Sequence, residues 1–203
     1  MWHRFLTGEI DATMALEIEV KLPVPDLDAV RATLSELGAR DLGAVTESNH
    51  ILDSADGSLR RQGSALRVRV NRPMDGGATQ ALLTFKGPLL PSQAKRREEI
   101  EVAVGDSRHT LSLLLALGYL PILIYAKRRH SCALDDCRVE LDEVPFIGRF
   151  VEIEGPDESA IAGVQRRLGL EQVPHCPATY VKSLLDHCAR AGVDPLKIDF
   201  PEP

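Results

Sequence analysis

The sequence predicts an α+β fold in which antiparallel strands carry one charged face and helices cover the other, apolar face. Charged and aliphatic residues alternate over residues 16–21, and the same alternation recurs in later segments. Successive side chains of a strand point to opposite faces, so each segment separates its charges from its aliphatics. Amphipathic helical segments and glycine-containing turns lie between the strands. If the strands close into one barrel, the charges point inward and the aliphatics pack outward against the helices.

The charged faces carry both signs with little neutral filler. On one isolated strand, such a face is best interpreted as a solvated surface, but here the pattern recurs along the chain. In chain order the charged faces hold Glu17, Glu19 and Lys21; Arg67 and Arg69; Lys86; Arg97, Glu99 and Glu101; Lys127 and Arg129; Glu140 and Asp142; and Glu152 and Glu154. Enclosing both signs is costly unless water, or an anionic ligand together with cations, fills the space. We therefore expect basic residues around phosphates and acidic residues around a metal ion.

Four segments have the apolar spacing of helices, and each ends near a glycine. They are residues 26–37, 106–117, 158–168 and 178–191. Turns are predicted at residues 56–57, 75–77 and 135–136. We expect a mobile leader over residues 1–13, one domain over 14–192 and an irregular tail over 193–203. Either Met1 or Met14 is compatible with the start of the protein.

Composition excludes several classes of function. The net charge of −6 argues against general nucleic-acid binding, which favours a basic surface. No apolar run reaches the length of a membrane span, and the N-terminal residues lack the apolar core of a signal peptide. We therefore expect a cytoplasmic protein without a membrane partner.

The charged segments resemble, in composition and in order, the CYTH family of triphosphate tunnel proteins, which includes class IV adenylyl cyclases and thiamine triphosphatases. Glu17-x-Glu19-x-Lys21 resembles the signature near the family's N-terminus. The later matches, in family order, are Ser64–Arg69, Phe85–Pro88, Arg97-x-Glu99-x-Glu101, Lys127-x-Arg129, Leu141–Val144, Gly148–Glu154 and Thr179-Tyr180. The resemblance is greatest to the bacterial class IV cyclase branch. It implies a closed antiparallel β-barrel, the triphosphate tunnel, with a charged interior and helices packed outside.

The resemblance also implies roles for the inward charges. Phosphate binding falls to Lys21, Arg67, Arg69, Lys86, Arg97, Lys127 and Arg129. Three of these, Lys21, Lys127 and Arg129, are the predicted catalytic residues. The predicted ligands of Mg²⁺ or Mn²⁺ are first Glu17, Glu19, Glu152 and Glu154, and then Glu101 and Asp142. Mg²⁺ takes only one or two carboxylates with phosphate and water, so six carboxylates imply two ions or outer positions.

We therefore expect a divalent-metal-dependent enzyme that acts on a triphosphate. The resemblance favours an adenylyl cyclase, in which the ribose 3′-hydroxyl of ATP attacks the α-phosphorus and pyrophosphate leaves. The alternative is a triphosphatase that hydrolyses tripolyphosphate, thiamine triphosphate or a nucleoside triphosphate. A non-catalytic binder of polyphosphate or nucleotide is a further alternative, although the acidic residues argue against it. The last alternative is a β-barrel whose charges are ordinary surface charges. A homodimer is expected from the resemblance alone.

Overall fold

The computed structural model describes residues 15–91 and 94–201. Within these ranges the chain forms eight strands. They are β1 (Ala15–Pro23), β2 (Arg40–Ser54), β3 (Ala65–Pro73), β4 (Gln80–Lys86), β5 (Lys95–Val104), β6 (Tyr119–Leu134), β7 (Cys137–Val144) and β8 (Gly148–Glu154). The predicted leader and the choice between the two methionines lie outside the described residues, and the predicted domain limits stay a prediction.

The strands close into one antiparallel barrel, which confirms the predicted fold class. Around the barrel the order is β1-β5-β4-β3-β2-β6-β7-β8, and β8 pairs with β1 to complete the circle. The register places residues of the same face side by side on neighbouring strands. Glu17, for example, pairs with Arg97 on β5, and Lys21 pairs with Glu152 on β8. The charges of separate sequence segments therefore meet on one inner surface.

Five helices lie in the described part of the chain, and four of them match the predicted segments. They are α1 (Leu27–Glu36), α2 (Ser58–Arg61), α3 (Ser107–Ala116), α4 (Glu158–Arg167) and α5 (Tyr180–Ala191). The four longer helices each begin after a side chain that accepts hydrogen bonds from the first-turn amides, which stabilises the helix start. These caps are Asp26, Asp106, Asp157 and Thr179. The single turn of α2 has no such periodicity and was not predicted.

The apolar faces of the strands pack outward against helices, as the alternation predicted. On β1, the side chains of Ile18, Val20 and Leu22 are buried in a core that also contains Leu34 of α1 and Ile161 of α4. This core holds β1, β7 and β8 in place, and their opposite faces line the interior of the barrel.

Helix α5 and the tail pack at one end of the barrel. Tyr180 and Leu184 of α5 join a second core with Leu123 of β6 and Phe150 of β8. Beyond α5 the chain is irregular, but it runs along β6: the Ile198 amide donates to the Ile124 carbonyl over 3.1 Å. Strand β7 pairs with β6 only in the second half of β6, so the tail covers an edge that β7 leaves free.

None of the helices among the described residues is long and apolar enough to cross a membrane.

Candidate functional site

The barrel encloses a cavity of about 1520 Å³. Every strand contributes at least one charged side chain to its lining: Glu17, Glu47, Arg67, Lys86, Arg97, Lys127, Glu140 and Glu152, from β1 to β8 in turn. Over the described residues, acidic and basic side chains line the cavity in equal numbers. The cavity therefore favours an anion that arrives together with cations over an anion alone.

The structure places most of the predicted site residues in this lining. They are Glu17, Glu19, Arg67, Arg69, Lys86, Arg97, Glu101, Lys127, Arg129, Glu152 and Glu154. Lys21 and Asp142 share the same inward parity but do not line the cavity. Their side chains are almost fully buried, with exposed fractions of 1% and 0%.

Lys21 is buried where helix α5 meets the barrel. Its Nζ donates to the carbonyl of Ala178, and it lies 4.0 Å from the ring centroid of Tyr180 and 5.2 Å from that of Phe150. Burial, followed by the nearby charge of Lys95, lowers the pKa of Lys21 to about 8. This ammonium therefore ties the start of α5 to the barrel wall through a hydrogen bond and cation–π contacts.

Asp142 has its hydrogen-bonding capacity taken up by other side chains. Its Oδ1 accepts from Arg129 Nε over 2.7 Å, and its Oδ2 accepts from Lys127 Nζ over 3.0 Å and from the Tyr180 hydroxyl over 2.9 Å. A carboxylate that is buried and satisfied in this way has no oxygen directed at the cavity. Its evident role is to neutralise two buried cations and to hold α5 through Tyr180.

Carboxylates of β1 and β8 form the acidic side of the cavity. Glu17 is 2.6 Å from Lys86 Nζ, and Glu19 is 3.3 Å from Lys95 Nζ. Glu154 is exposed, and no hydrogen bond or ion pair is seen for it among the described residues. Partial desolvation by the barrel wall, and then the negative charges of Glu17 and Glu19, raise the pKa of the Glu154 carboxyl. A carboxylate whose neighbours favour protonation also favours a bound cation.

These carboxylates fit a hard divalent cation in their chemistry, because Mg²⁺ and Mn²⁺ prefer oxygen ligands. In the ranges that the structure describes, no three histidine, cysteine, aspartate or glutamate side chains are already arranged as a metal site. The physical reason is that lysines hold Glu17 and Glu19. Metal binding here would require those ion pairs to exchange partners.

Several cavity residues were not among the predicted site residues. Glu47 of β2 is 1% exposed and lies 3.2 Å from Arg69 Nε and 3.4 Å from Lys127 Nζ. Burial alone would raise its pKa, but Lys127, Arg69 and Arg129 lower it far below its usual range. Lys95, Glu99 and Glu140 also line the cavity. Strand parity placed Glu99 and Glu140 on the inward faces without giving them a role, and the same parity applies to Lys95, two residues before Arg97. Strand β2 has no charged alternation that would mark Glu47.

Arg67 has a hydrogen-bond donor that no described residue satisfies. Its Nη2 contacts Thr84 Oγ1 over 3.3 Å and Glu101 Oε2 over 3.6 Å, but its buried Nε has no partner. Burial, followed by Arg69, lowers its pKa. A buried guanidinium with a spare donor, beside a second guanidinium, is a site for an anion.

Comparison with known proteins identifies the family. The model of the CYTH domain matches residues 15–173. The chain belongs to the CYTH family. Members of this family include adenylyl cyclase-like enzymes and triphosphatases, and they generally use divalent metals.

Two relatives are similar along most of the chain. A putative adenylate cyclase of Methanocaldococcus jannaschii is 28% identical over 139 residues, which are 68% of this chain and 76% of the relative. Adenylate cyclase CyaB of Aeromonas hydrophila is 28% identical over 155 residues, which are 75% of this chain and 76% of the relative.

Solved structures show the same fold. A protein of Pyrococcus horikoshii superposes with a TM-score of 0.74 at 25% identity, over 84% of this chain and 99% of that one. A Hippeastrum protein, described as a putative adenylyl cyclase with a dominant triphosphatase activity, has a TM-score of 0.64 at 20% identity, over 87% and 96% of the two chains. The second likeness supports the CYTH fold alone.

Proposed function

We propose that this protein is a divalent-metal-dependent adenylyl cyclase that converts ATP to cyclic AMP and pyrophosphate inside the barrel. The observation that carries the proposal is the convergence of basic side chains from four strands on one cavity, beside carboxylates of β1 and β8. The basic side chains are Arg67, Arg69, Lys86, Lys95, Arg97, Lys127 and Arg129. The two relatives at 28% identity, both named as adenylate cyclases, support the choice of reaction.

The basic residues would hold the phosphates. Arg67 offers its unpaired Nε, and Arg69 lies two residues further along the same face of β3. Lys86 lies between Glu17 at 2.6 Å and Glu99 at 2.7 Å, so its ammonium is fixed in position before a phosphate arrives. Groups fixed in this way stabilise charge with little reorganisation, which is the main contribution expected in phosphoryl transfer.

The carboxylates would hold Mg²⁺ or Mn²⁺. Glu17, Glu19, Glu152 and Glu154 line the cavity and are the proposed ligands, with Glu101 available on β5. The metal would supply positive charge that neutralises the phosphates and the departing pyrophosphate. Asp142 is left out of this set because its oxygens are occupied by Arg129, Lys127 and Tyr180.

In the proposed reaction the ribose 3′-hydroxyl gives its proton to water in the cavity, and its oxygen forms a bond to the α-phosphorus. The bond from that phosphorus to the bridging oxygen breaks, and its electron pair leaves with pyrophosphate. Negative charge then gathers on the pyrophosphate, and Arg129 and Lys127 lie in the lining to stabilise it. Lys21 is buried away from the lining, so its proposed role is to position Tyr180 and helix α5. The cytoplasmic location and the homodimer stay predictions from the sequence.

A triphosphatase is the second candidate. The residues described above would bind phosphate and metal, and Glu154 on the acidic side is exposed, so water can reach that part of the cavity. Water attacking the terminal phosphorus would need the same basic groups. The two reactions differ in which phosphorus is attacked.

The test is to separate the products formed from ATP, tripolyphosphate and thiamine triphosphate with Mg²⁺ or Mn²⁺. Cyclic AMP with equimolar pyrophosphate supports the cyclase. Orthophosphate without cyclic AMP makes the protein a triphosphatase, and tight binding without any product makes it a binder.

Arg67→Met should lower the turnover number by about 10²–10³-fold, as for other preorganised donors. Arg72→Gln, at an exposed position on the opposite face of β3, is the matched control.

A further inference from the structure

The inner surface of the barrel changes from charged to neutral on three adjacent strands. On β3 the inward positions run from Arg67 and Arg69 to Asn71 and Pro73. On β4 they run from Lys86 and Thr84 to Leu82 and Gln80, and on β2 from Glu47 to Val45. The five neutral residues all line the cavity: Val45, Asn71, Pro73, Gln80 and Leu82. We call this set the neutral wall.

The register makes the neutral wall continuous. Asn71 pairs with Gln80 on β4, and Pro73 pairs with Val45 on β2. Asn71 lies two residues beyond Arg69, or about 7 Å along the strand. Strand β8, which carries Glu152 and Glu154, lies half way round the barrel from β3. A ligand whose phosphates lie between Arg69 and the carboxylates would therefore reach the neutral wall with its other end.

Asn71 presents an unused hydrogen-bond acceptor on this wall. Its Oδ1 is buried and has no partner among the described residues. Buried polar atoms are almost always hydrogen-bonded, so an unpaired one at a cavity wall indicates a ligand donor. The cavity, at about 1520 Å³, also exceeds the roughly 300–1,000 Å³ of ordinary ligand pockets. It therefore has room for more than an inorganic triphosphate.

We propose that the neutral wall binds the nucleobase of an amino-bearing nucleoside triphosphate, and that Asn71 Oδ1 accepts a hydrogen bond from the exocyclic amino group. Leu82, Pro73 and Val45 supply apolar contacts to the flat ring. The proposal rests on the proposed function, because it needs the triphosphate to bind at the arginines. In this proposal Asn71, which lies outside the phosphate and metal sites, determines the specificity for one triphosphate over another.

The experiment compares three ligands by titration calorimetry, with and without Mg²⁺. They are ATP, purine riboside triphosphate, which is ATP without its amino group, and tripolyphosphate, which has no base. In the wild type ATP should bind about three- to tenfold more tightly than purine riboside triphosphate, the effect of one neutral hydrogen bond. Asn71→Ala should abolish that ratio. Asn71→Asp retains an acceptor and should preserve the ratio, even though its charge weakens all three ligands. Arg72→Gln, the exposed neighbour, is the control and should preserve it too.

The outcomes separate this inference from the proposed function. If the wild type binds neither ATP nor tripolyphosphate in either condition, the proposed function is wrong. If tripolyphosphate binds but the ratio of the affinities for ATP and purine riboside triphosphate is the same in wild type and Asn71→Ala, the neutral wall does not recognise the amino group. An equal loss of all three ligands in Asn71→Ala would also overturn the inference, because it would mean general damage to the barrel.

Discussion

Asp142→Asn removes one negative charge from the most buried ion-pair network of the barrel while leaving the side chain's shape almost unchanged. The carboxylate is 0% exposed. Its Oδ2 accepts from Lys127 Nζ at 3.0 Å, from Arg129 Nη2 at 2.5 Å and from the Tyr180 hydroxyl at 2.9 Å. In the variant, either Lys127 or Arg129 loses its main counter-charge, and an amide NH₂ group faces donors wherever it replaces an oxygen.

The expected cost is about 3–5 kcal/mol in the free energy of unfolding, the usual result of removing one partner from a buried pair. Glu47, 3.4 Å from Lys127 Nζ, keeps the loss from exceeding this range because it still compensates part of the charge. The measurement is urea unfolding of wild type and variant at pH 7. Asp136→Asn, at an exposed position in the β6–β7 turn, is the control and should change stability by less than about 0.5 kcal/mol.

The refuting result is a loss below about 1 kcal/mol together with a weaker affinity for Mg²⁺. It would mean that Asp142 reaches the cavity and ligates metal, as the sequence predicted. It would also mean that the contact from Tyr180 does not occupy the carboxylate.

Three further outcomes are expected. Glu154→Gln should raise the Mg²⁺ concentration for half-maximal turnover by about tenfold, equal to roughly 1.4 kcal/mol, and an unchanged metal titration would exclude Glu154 as a ligand. Ile198→Ala should lower the free energy of unfolding by about 2–4 kcal/mol, because Ile198 is 2% exposed where the tail covers β6. In the same denaturation assay Leu196→Ala, at a position that is 38% exposed, should lower it far less. Equal losses in the two variants would contradict a stabilising role of the tail. The pKa of Lys21 is lowered to about 8 in the folded protein, from 10.5. Between these pH values the unfolded chain therefore binds more protons than the folded protein. The free energy of unfolding of the wild type, relative to that of Lys21→Met, should rise from pH 8 to pH 10.5. Unfolding free energies of both proteins across that range check this, and a constant difference would refute the shift.

Side-chain parity accounts for what the sequence predicted well. Glu17 and Glu19 alternate with Ile18 and Val20, and this alternation separates the cavity from the outer core. Strand β2 does not have this alternation. Its inward face carries Glu47 between the neutral residues Val45 and Asn49, so no charged alternation marks the middle of a strand that is fifteen residues long. A single inward charge cannot be told from a surface charge by pattern alone.

Parity predicts the side of a strand but not the depth of a residue within the barrel. Glu140 and Asp142 share one face of β7, yet Glu140 lines the cavity and Asp142 does not. The difference comes from Tyr180, which is 38 residues away in sequence and donates to Asp142. Lys21 is likewise buried by its contact with Ala178. Both contacts depend on where α5 packs, which the local sequence does not determine.

The pairing of charges inside the barrel has a consequence for how the proposed ligands would bind. A cavity with as many carboxylates as cations can be folded without a ligand because most of its charges are paired with one another, as Lys86 is with Glu17 and Glu99. A triphosphate that binds Lys86 would leave the negative charges of Glu17 and Glu99 without a counter-charge, and a divalent cation would neutralise them. Conversely, a cation that takes Glu17 would release Lys86 for a phosphate. The triphosphate and the metal ion would therefore bind cooperatively. The metal ion would separate Glu17 from Lys86 and free Lys86 for phosphate, and the triphosphate would in turn free Glu17 for the metal ion.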